Sequence, residues 1–328
     1  MSARKSSVAR LVIALVLLTL SIGIFFNRQT ISDQIIVWQY KPDAEIAQIS
    51  SRAALNSKGT FLLYAAQPMV QSREDFNANC SLHTEKSVVL GCYDGRYIYL
   101  YDIDDPRLDG IKEVTAAHEM LHVAYARLPD QERLRVNAMI DDALPKIGSE
   151  RIEKRIALYD QDDPSVRYNE LHSMLGTEVK NLPEPLTAYY DQYFINRLSL
   201  VLLSERYETV FVELETRQQQ LVAELNALAT DITAQSDQYS QEFQELQQDI
   251  LAFNEQANSG SFSTQVAFNA QRSQLVARQS ALNSQRNDLN QKITLYRALS
   301  TELEELNLTA QGLQRSIDSR LLPEVPSI

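Results

Sequence analysis

The segment KEVTAAHEMLHVAYARL, from Lys112 to Leu128, sets the frame for the rest of the sequence. It contains no glycine or proline and is mostly apolar, so it predicts a largely buried helix that stops at Pro129. His118 and His122 are four positions apart, which places both imidazoles on one face of that helix. Glu119 is next to that face and can reach a water bound between them. This spacing indicates a metal site with a water-activating glutamate.

Zinc is the ion that this donor set predicts, at one per chain. Zinc with an open fourth position polarises a peptide carbonyl and lowers the pKa of its bound water to about 7. Glu119 is then placed to take the proton and pass it to the leaving amine. The alternative is a pair of surface histidines beside an ordinary acid. The apolar character of the helix disfavours it, because a buried His-Glu-His trio without a partner would be costly.

The HEMLH segment resembles the HExxH zinc metallopeptidases of the gluzincin type, over about residues 87–195. The resemblance implies a sheet before the helix, with an edge strand that binds substrate in extended form, and residues 97–103 are similar in position. It also implies a third metal ligand. The longer zincin pattern has a third histidine where this chain has Leu128, so the resemblance implies a glutamate ligand on a later helix.

The segment RYNELHSMLGTE, residues 167–178, resembles the family's Asn-Glu ligand helix. It implies Glu170 as the third ligand. At 100° per residue, Glu178 lies about 80° from Glu170 and His172 roughly opposite. Glu178 is therefore the first alternative, as a substitute ligand or a group that supports the ligands, and His172 is the second.

The chain departs from the best-known gluzincin pattern at Met174, where an acid is usual. Glu178 and Asp191 are the candidates to orient the zinc-binding imidazoles instead. A tyrosine or histidine usually stabilises the oxyanion in such enzymes, and four candidates follow in this chain. They are Tyr168, His172, Tyr189 and Tyr190.

Three strands and one disulfide are predicted around the metal-site helix. Residues 87–93 and 97–103 read as a pair of strands around an Asp-Gly turn, and residues 60–66 as a further strand. Cys80 and Cys92 are the only cysteines, and an exported compartment allows them to form a disulfide. The alternative is two unpaired buried thiols.

The N-terminus predicts a membrane anchor. Arg4, Lys5 and Arg10 precede a mostly apolar run at residues 11–26, which approaches the length of a spanning helix. The basic flank predicts a cytoplasmic N-terminus and a single pass, with the bulk of the chain extracytoplasmic. A cleaved signal peptide is the alternative, although a small-residue cleavage site is lacking after the apolar run.

The composition divides the chain into parts. Residues 1–29 form the basic flank and anchor, and residues 30–204 contain all four histidines and the only tryptophan, as expected of a globular core. The resemblance implies that this part is a zincin-like metallopeptidase domain. Residues 205–320 carry heptad series of Leu and Ile around a polar break at 257–264, which predicts an antiparallel coiled-coil hairpin. Residues 321–328 are a tail. The predicted fold class is α+β.

Charge narrows the possible partners. The 328 residues include 31 Lys and Arg against 43 Asp and Glu, a formal net charge of −12, so a nucleic-acid partner is not expected. The patterns together predict a membrane-anchored, extracytoplasmic zinc peptidase that acts on peptide or protein. The alternative is a non-catalytic cell-envelope protein that works through its hairpin, by self-association or by binding an envelope partner, with a vestigial or structural metal site. Glu119 favours the peptidase, because a structural zinc does not need it.

Overall fold

The computed structural model describes residues 15–25, 27–80, 88–148, 152–154, 157 and 164–320. The basic flank and the C-terminal tail lie outside the described residues. The chain divides into two compact units, one of Met1–Val210 with Leu313–Ile328 and one of Phe211–Gly312. The described part is mostly helical, with one small mixed sheet.

The helices and strands, in chain order, have the following bounds. They are α1 Leu15–Phe25, α2 Arg28–Gln39, α3 Ala44–Arg52, α4 Ser57–Ala65, β1 Met69–Gln71, α5 Arg73–Asn79, β2 Gly91–Tyr93, β3 Ile98–Tyr101, α6 Ile111–Ala126, α7 Asp130–Ala143, α8 Pro164–Glu178, α9 Glu184–Tyr190, α10 Arg197–Asn258 and α11 Gln265–Ile317.

The sheet has the order β1-β3-β2, with β1 parallel and β2 antiparallel to β3. The pair predicted around the Asp-Gly turn is confirmed, and Asp94 Oδ1 accepts hydrogen bonds from the amides of Arg96 and Tyr97. The expectation that residues 97–103 form the edge strand is wrong, because β3 is paired on both sides. Among the described residues, β2 lies at the edge next to α6.

The two faces of the sheet are covered by different elements. Ile98 and Leu100 point to the face that α6 covers, and both are fully buried. Tyr101 points to the other face, where its ring lies 5.6 Å from that of Phe76 in α5. Cys92 also points to that face and is disulfide-bonded to Cys80, which confirms the predicted bond. The disulfide therefore ties β2 to the end of α5.

The predicted strand at residues 60–66 is wrong, because residues 60–65 belong to α4 and Ala66 is the C-terminal cap of that helix. Asn56 caps this helix, and its Oδ1 accepts hydrogen bonds from the amides of Lys58 and Gly59. The apolar run is continuous because the helix is buried on more than one side, with Leu62 and Leu63 both inside the core. A short apolar run of this kind does not distinguish a buried strand from a buried helix.

A buried arginine at the start of α10 caps the C-terminal end of α8. The guanidinium of Arg197 donates hydrogen bonds to the carbonyls of Val179 at 2.7 Å and Lys180 at 2.9 Å. It also lies 3.4 Å from the carbonyls of Leu175 and Gly176. These contacts satisfy carbonyls at the helix end, and the positive charge lies at the negative end of the helix dipole.

Helices α10 and α11 form the predicted antiparallel hairpin, with a turn between Asn258 and Gln265. Cross-helix pairs show the direction, since partners later in α10 contact partners earlier in α11. They are Arg217 with Glu302, Asp231 with Lys292, Glu242 with Gln285, and Asp249 with Arg278. The first helix begins at Arg197, before the predicted boundary at residue 205.

The end of α11 and the residues that follow it belong to the first compact unit, where they contact α5. Asn77 in α5 donates a hydrogen bond to the carbonyl of Ser319 at 2.7 Å, and the hydroxyl of Ser319 donates to Asn77 Oδ1 at 2.7 Å. Arg73 donates to the carbonyl of Arg315.

At the N-terminus, no single described helix has the length and apolar character to cross a membrane. Helices α1 and α2 pass that test only when taken together, and their axes differ by 70°.

Candidate metal centre

Helix α6 brings His118, Glu119 and His122 together at the core side of the globular unit. One potential ligand atom of each lies within 4.8 Å of the other two. Glu119 and His122 are buried, and His118 is partly exposed. The group is therefore able to hold a metal ion that remains accessible from one side.

Helix α8 adds Glu170 to the same point. Its Oε2 lies 3.7 Å from His118 Nε2, and its Oε1 lies 3.6 Å from His122 Nε2. Both distances exceed the usual hydrogen-bond range of about 2.7–3.2 Å. Two ligands that bind one tetrahedral zinc at about 2.0–2.1 Å lie about 3.3 Å apart. The three side chains are thus spaced as ligands of one ion, and a nitrogen and carboxylate donor set suits zinc.

Close packing of α8 on α6 positions Glu170. A Cβ at Gly176 would lie 2.4 Å from Leu121 Cδ1 and 2.9 Å from Tyr190 Cε1. Glycine is therefore required for α8 to approach α6 this closely. The same contact buries Leu175 and Met174 in the core. Met174, which replaces the acid of the gluzincin pattern, is thus a packing residue here.

Glu119 lies beneath β2. A Cβ at Gly91 would lie 3.1 Å from Glu119 Oε1, 3.0 Å from its Cγ and 2.6 Å from Thr115 Cγ2. The absence of a side chain at Gly91 allows the strand to approach the carboxylate. The side chain of Glu119 is therefore packed between its own helix, α6, and the edge strand β2.

Ser173 orients His122. Its Oγ is fully buried and lies 3.2 Å from His122 Nδ1. When Nε2 faces the ion, Nδ1 carries the proton and donates a hydrogen bond to Ser173 Oγ. The sequence did not suggest Ser173 for this role, and the roles of Glu178 and Asp191 in orienting the imidazoles stay predictions. Asp191 is exposed at the end of α9, where its carbonyl accepts a hydrogen bond from Asn56.

Glu178 is buried at the end of α8. It lies eight residues after Glu170, or about 12 Å along the helix axis. A substitute ligand would have to span that distance, so the geometry favours Glu170 as the carboxylate that faces both imidazoles.

His172 lies on a different side of α8, in a cluster of tyrosines. Its Nε2 is 2.9 Å from the hydroxyl of Tyr189, and the hydroxyl of Tyr190 donates to its carbonyl at 2.6 Å. Burial, together with a smaller effect of the nearby imidazoles of His122 and His118, lowers the pKa of His172 to about 3. His172 is therefore a neutral core residue across the physiological pH range.

The candidate oxyanion groups are engaged elsewhere. His172, Tyr189 and Tyr190 share the buried cluster, where the hydroxyl of Tyr189 also lies 3.2 Å from that of Tyr193. Tyr168 donates a hydrogen bond to Asp141 at 2.6 Å, which raises the pKa of the tyrosine. All four hydroxyl or imidazole groups thus have structural partners.

The comparisons with known proteins find no matching family model, no similar curated protein and no similar solved structure. The site geometry is therefore the basis for any functional conclusion.

Replacing Ser173 by alanine should weaken metal binding. The change removes the hydrogen bond that fixes the ring and the tautomer of His122, and such supporting groups are typically worth about 10- to 100-fold in metal affinity. Competition of the purified protein with a chromophoric chelator measures the dissociation constant.

Thr177→Val is the matched control, since it removes a buried hydroxyl from the same helix without touching His122. That hydroxyl donates only to the carbonyl of Ser173. If the two variants lose affinity equally, the effect belongs to α8 as a whole and the role of Ser173 is refuted.

Replacing Gly91 by alanine should destabilise the protein by about 1–3 kcal/mol, because the new methyl group overpacks the space between β2 and α6. Denaturant unfolding of the metal-free protein measures the loss. Thr115→Ser removes the nearest atom, Cγ2, and keeps the hydroxyl that donates to the carbonyl of Ile111. The double variant should therefore recover part of the loss, and an additive double variant would contradict the proposed contact.

Proposed function

We propose that this protein is a membrane-anchored, extracytoplasmic zinc peptidase of the gluzincin type. The observation that carries the proposal is the convergence of His118, His122 and Glu170 from two helices, with Glu119 beside them. Three protein ligands leave an open position for water, which is the arrangement of catalytic rather than structural zinc.

The residues divide into two roles in this proposal. His118, His122 and Glu170 hold the zinc ion, which when bound polarises the scissile carbonyl and acidifies a water molecule. Glu119 accepts a proton from that water at its carboxylate and then donates it to the amine that leaves. Burial beneath β2 supports this role, because it fixes the carboxylate and excludes competing solvent.

Strand β2 supports a peptide or protein as the substrate class. It lies at the edge of the sheet among the described residues and passes directly over Glu119. An extended peptide that pairs with this edge would run past the zinc ligands, with its backbone recognised by hydrogen bonds rather than by side chains.

Two features support an extracytoplasmic location. The Cys80–Cys92 disulfide is the kind of bond that persists in oxidising compartments. The basic residues before the apolar N-terminal run favour a cytoplasmic N-terminus, with the zinc domain on the opposite side of the membrane.

Glu119→Gln should abolish turnover and leave the metal bound. The amide keeps the shape of the side chain but cannot accept the proton, and loss of a general base costs about 10²- to 10⁴-fold in rate. Cleavage of a peptide library by the zinc-loaded full-length protein, followed by mass spectrometry, measures the effect.

The same assay separates the two classes of function. Equal cleavage by wild type and Glu119→Gln would refute Glu119 as the base. If zinc-loaded wild type cleaves nothing, the non-catalytic envelope protein that works through its hairpin replaces the peptidase.

Elemental analysis tests the ligand set. Wild type, treated with zinc and freed of excess metal, should contain one zinc per chain. Glu170→Ala should lose it, since two histidine ligands are fewer than the three that a catalytic zinc site has, whereas Glu178→Ala should retain it. Glu178 is the matched control because it is a buried glutamate on the same helix. Zinc loss from Glu178→Ala alone would reverse the assignment, and a zinc-free wild type would end the proposal.

A further inference from the structure

Helix α2 exposes three large apolar side chains in one stripe. Ile31 is 40% exposed, Ile35 49% and Trp38 84%. Their spacing of four and three residues places all three within about 60° on one helix face. Single exposed apolar residues are ordinary, but a contiguous stripe that includes a tryptophan marks a surface that contacts something apolar.

The opposite face of α2 is fixed to the globular unit. Asp33 lies about 170° around the helix from the centre of the stripe and is only 2% exposed. Its two carboxylate oxygens accept hydrogen bonds from Arg127 Nε at 2.6 Å and Nη2 at 2.9 Å. This bidentate ion pair prevents α2 from rotating its apolar stripe toward the globular unit.

The preceding helix indicates what covers the stripe. Helix α1 is apolar and exposed, only two residues separate it from α2, and the two axes differ by 70°. When α1 runs along the membrane normal, α2 runs about 20° from the membrane plane. Over its length of about 18 Å it then rises only about 6 Å. That rise is close to the thickness of one headgroup layer, roughly 5–8 Å.

The side chains of α2 also suit that layer. Tryptophan is enriched where the apolar core meets the headgroups, and Ile31 and Ile35 can reach the upper acyl chains. Arg28 and Lys41 are exposed at the two ends of the helix, where cations meet lipid phosphates.

We propose that α2 lies in the headgroup layer of a lipid bilayer, with Ile31, Ile35 and Trp38 facing the lipid. This inference rests on the membrane anchor of the proposed function, but not on its chemistry. Because Arg127 directly follows α6, the contact holds the end of the metal-site helix at the membrane surface.

Trp38 is the only tryptophan in the chain, so intrinsic fluorescence reports on this surface alone. The full-length protein is reconstituted into lipid nanodiscs, which leave both faces of the bilayer open to aqueous quencher. We expect blue-shifted emission, several-fold weaker quenching by iodide than for free tryptophan, and strong quenching by lipids brominated near the headgroup. Lipids brominated near the bilayer centre should quench less.

Two variants provide the controls. Ile31→Ser with Ile35→Ser should raise iodide quenching of Trp38, because the stripe loses its apolar contact with the lipid. Trp38→Phe with Leu251→Trp moves the only tryptophan to an exposed position of α10, where iodide should quench it fully.

Each contrary result has its own meaning. Full iodide quenching of Trp38 in a chain that stays in the discs overturns the inference and leaves the anchor intact. Protection from iodide without quenching by either brominated lipid also overturns it, since protein and not lipid then covers the stripe. A chain that does not enter the discs overturns the anchor and this inference together, while zinc content and peptide cleavage test the chemistry separately.

Discussion

The close contact between α6 and α8 is the constraint on which the metal centre depends. It exists because Gly176 has no side chain, so Leu121 and the ring of Tyr190 can occupy the space beside α8. At that separation the carboxylate of Glu170 reaches the Nε2 atoms of both His118 and His122. A larger residue at position 176 would push the helices apart, and the carboxylate would no longer face both imidazoles.

The surrounding elements restrain the two helices at separate places. Strand β2 packs against Glu119 at Gly91. The next residue of the strand, Cys92, is bonded to the end of α5 by the disulfide. At the far end of α8, Arg197 satisfies several carbonyls at once. The position of the carboxylates therefore follows from covalent, packing and hydrogen-bond restraints that originate in different parts of the chain.

Local signals in the sequence were sufficient for some features. The spacing of His118 and His122, the turn at Asp94 and the heptads of the hairpin each depend on neighbouring residues, and the structure has the corresponding helix, strand pair and hairpin. The prediction of a strand at residues 60–66 was wrong because the local sequence pattern there does not decide the structure. Its apolar run is compatible with either a helix or a strand, and burial by the rest of the fold decides between them.

The supporting residues could not be found from the sequence. Ser173 and Gly91 are ordinary residues in their own segments, and each gains its role only from a partner more than 20 positions away in the chain. The gluzincin resemblance suggests an acid such as Glu178 as the group that orients the imidazoles, whereas a fully buried serine contacts Nδ1 of His122. A serine or a glycine gives no recognisable pattern in a single sequence, because most serines and glycines have no such role.

The pair of Asp33 and Arg127 connects the N-terminal helix to the metal-site helix. Both partners are largely withdrawn from solvent, and removing one partner of such a pair typically costs about 3–5 kcal/mol because a charge remains buried and unpaired. An apolar pair of similar volume would hold the helices together equally well, but it would permit several rotations of α2. The bidentate ion pair permits only one rotation of α2 about its axis. In that rotation Trp38 is exposed to solvent. The ion pair therefore specifies the direction in which α2 faces, more than the strength with which it is held.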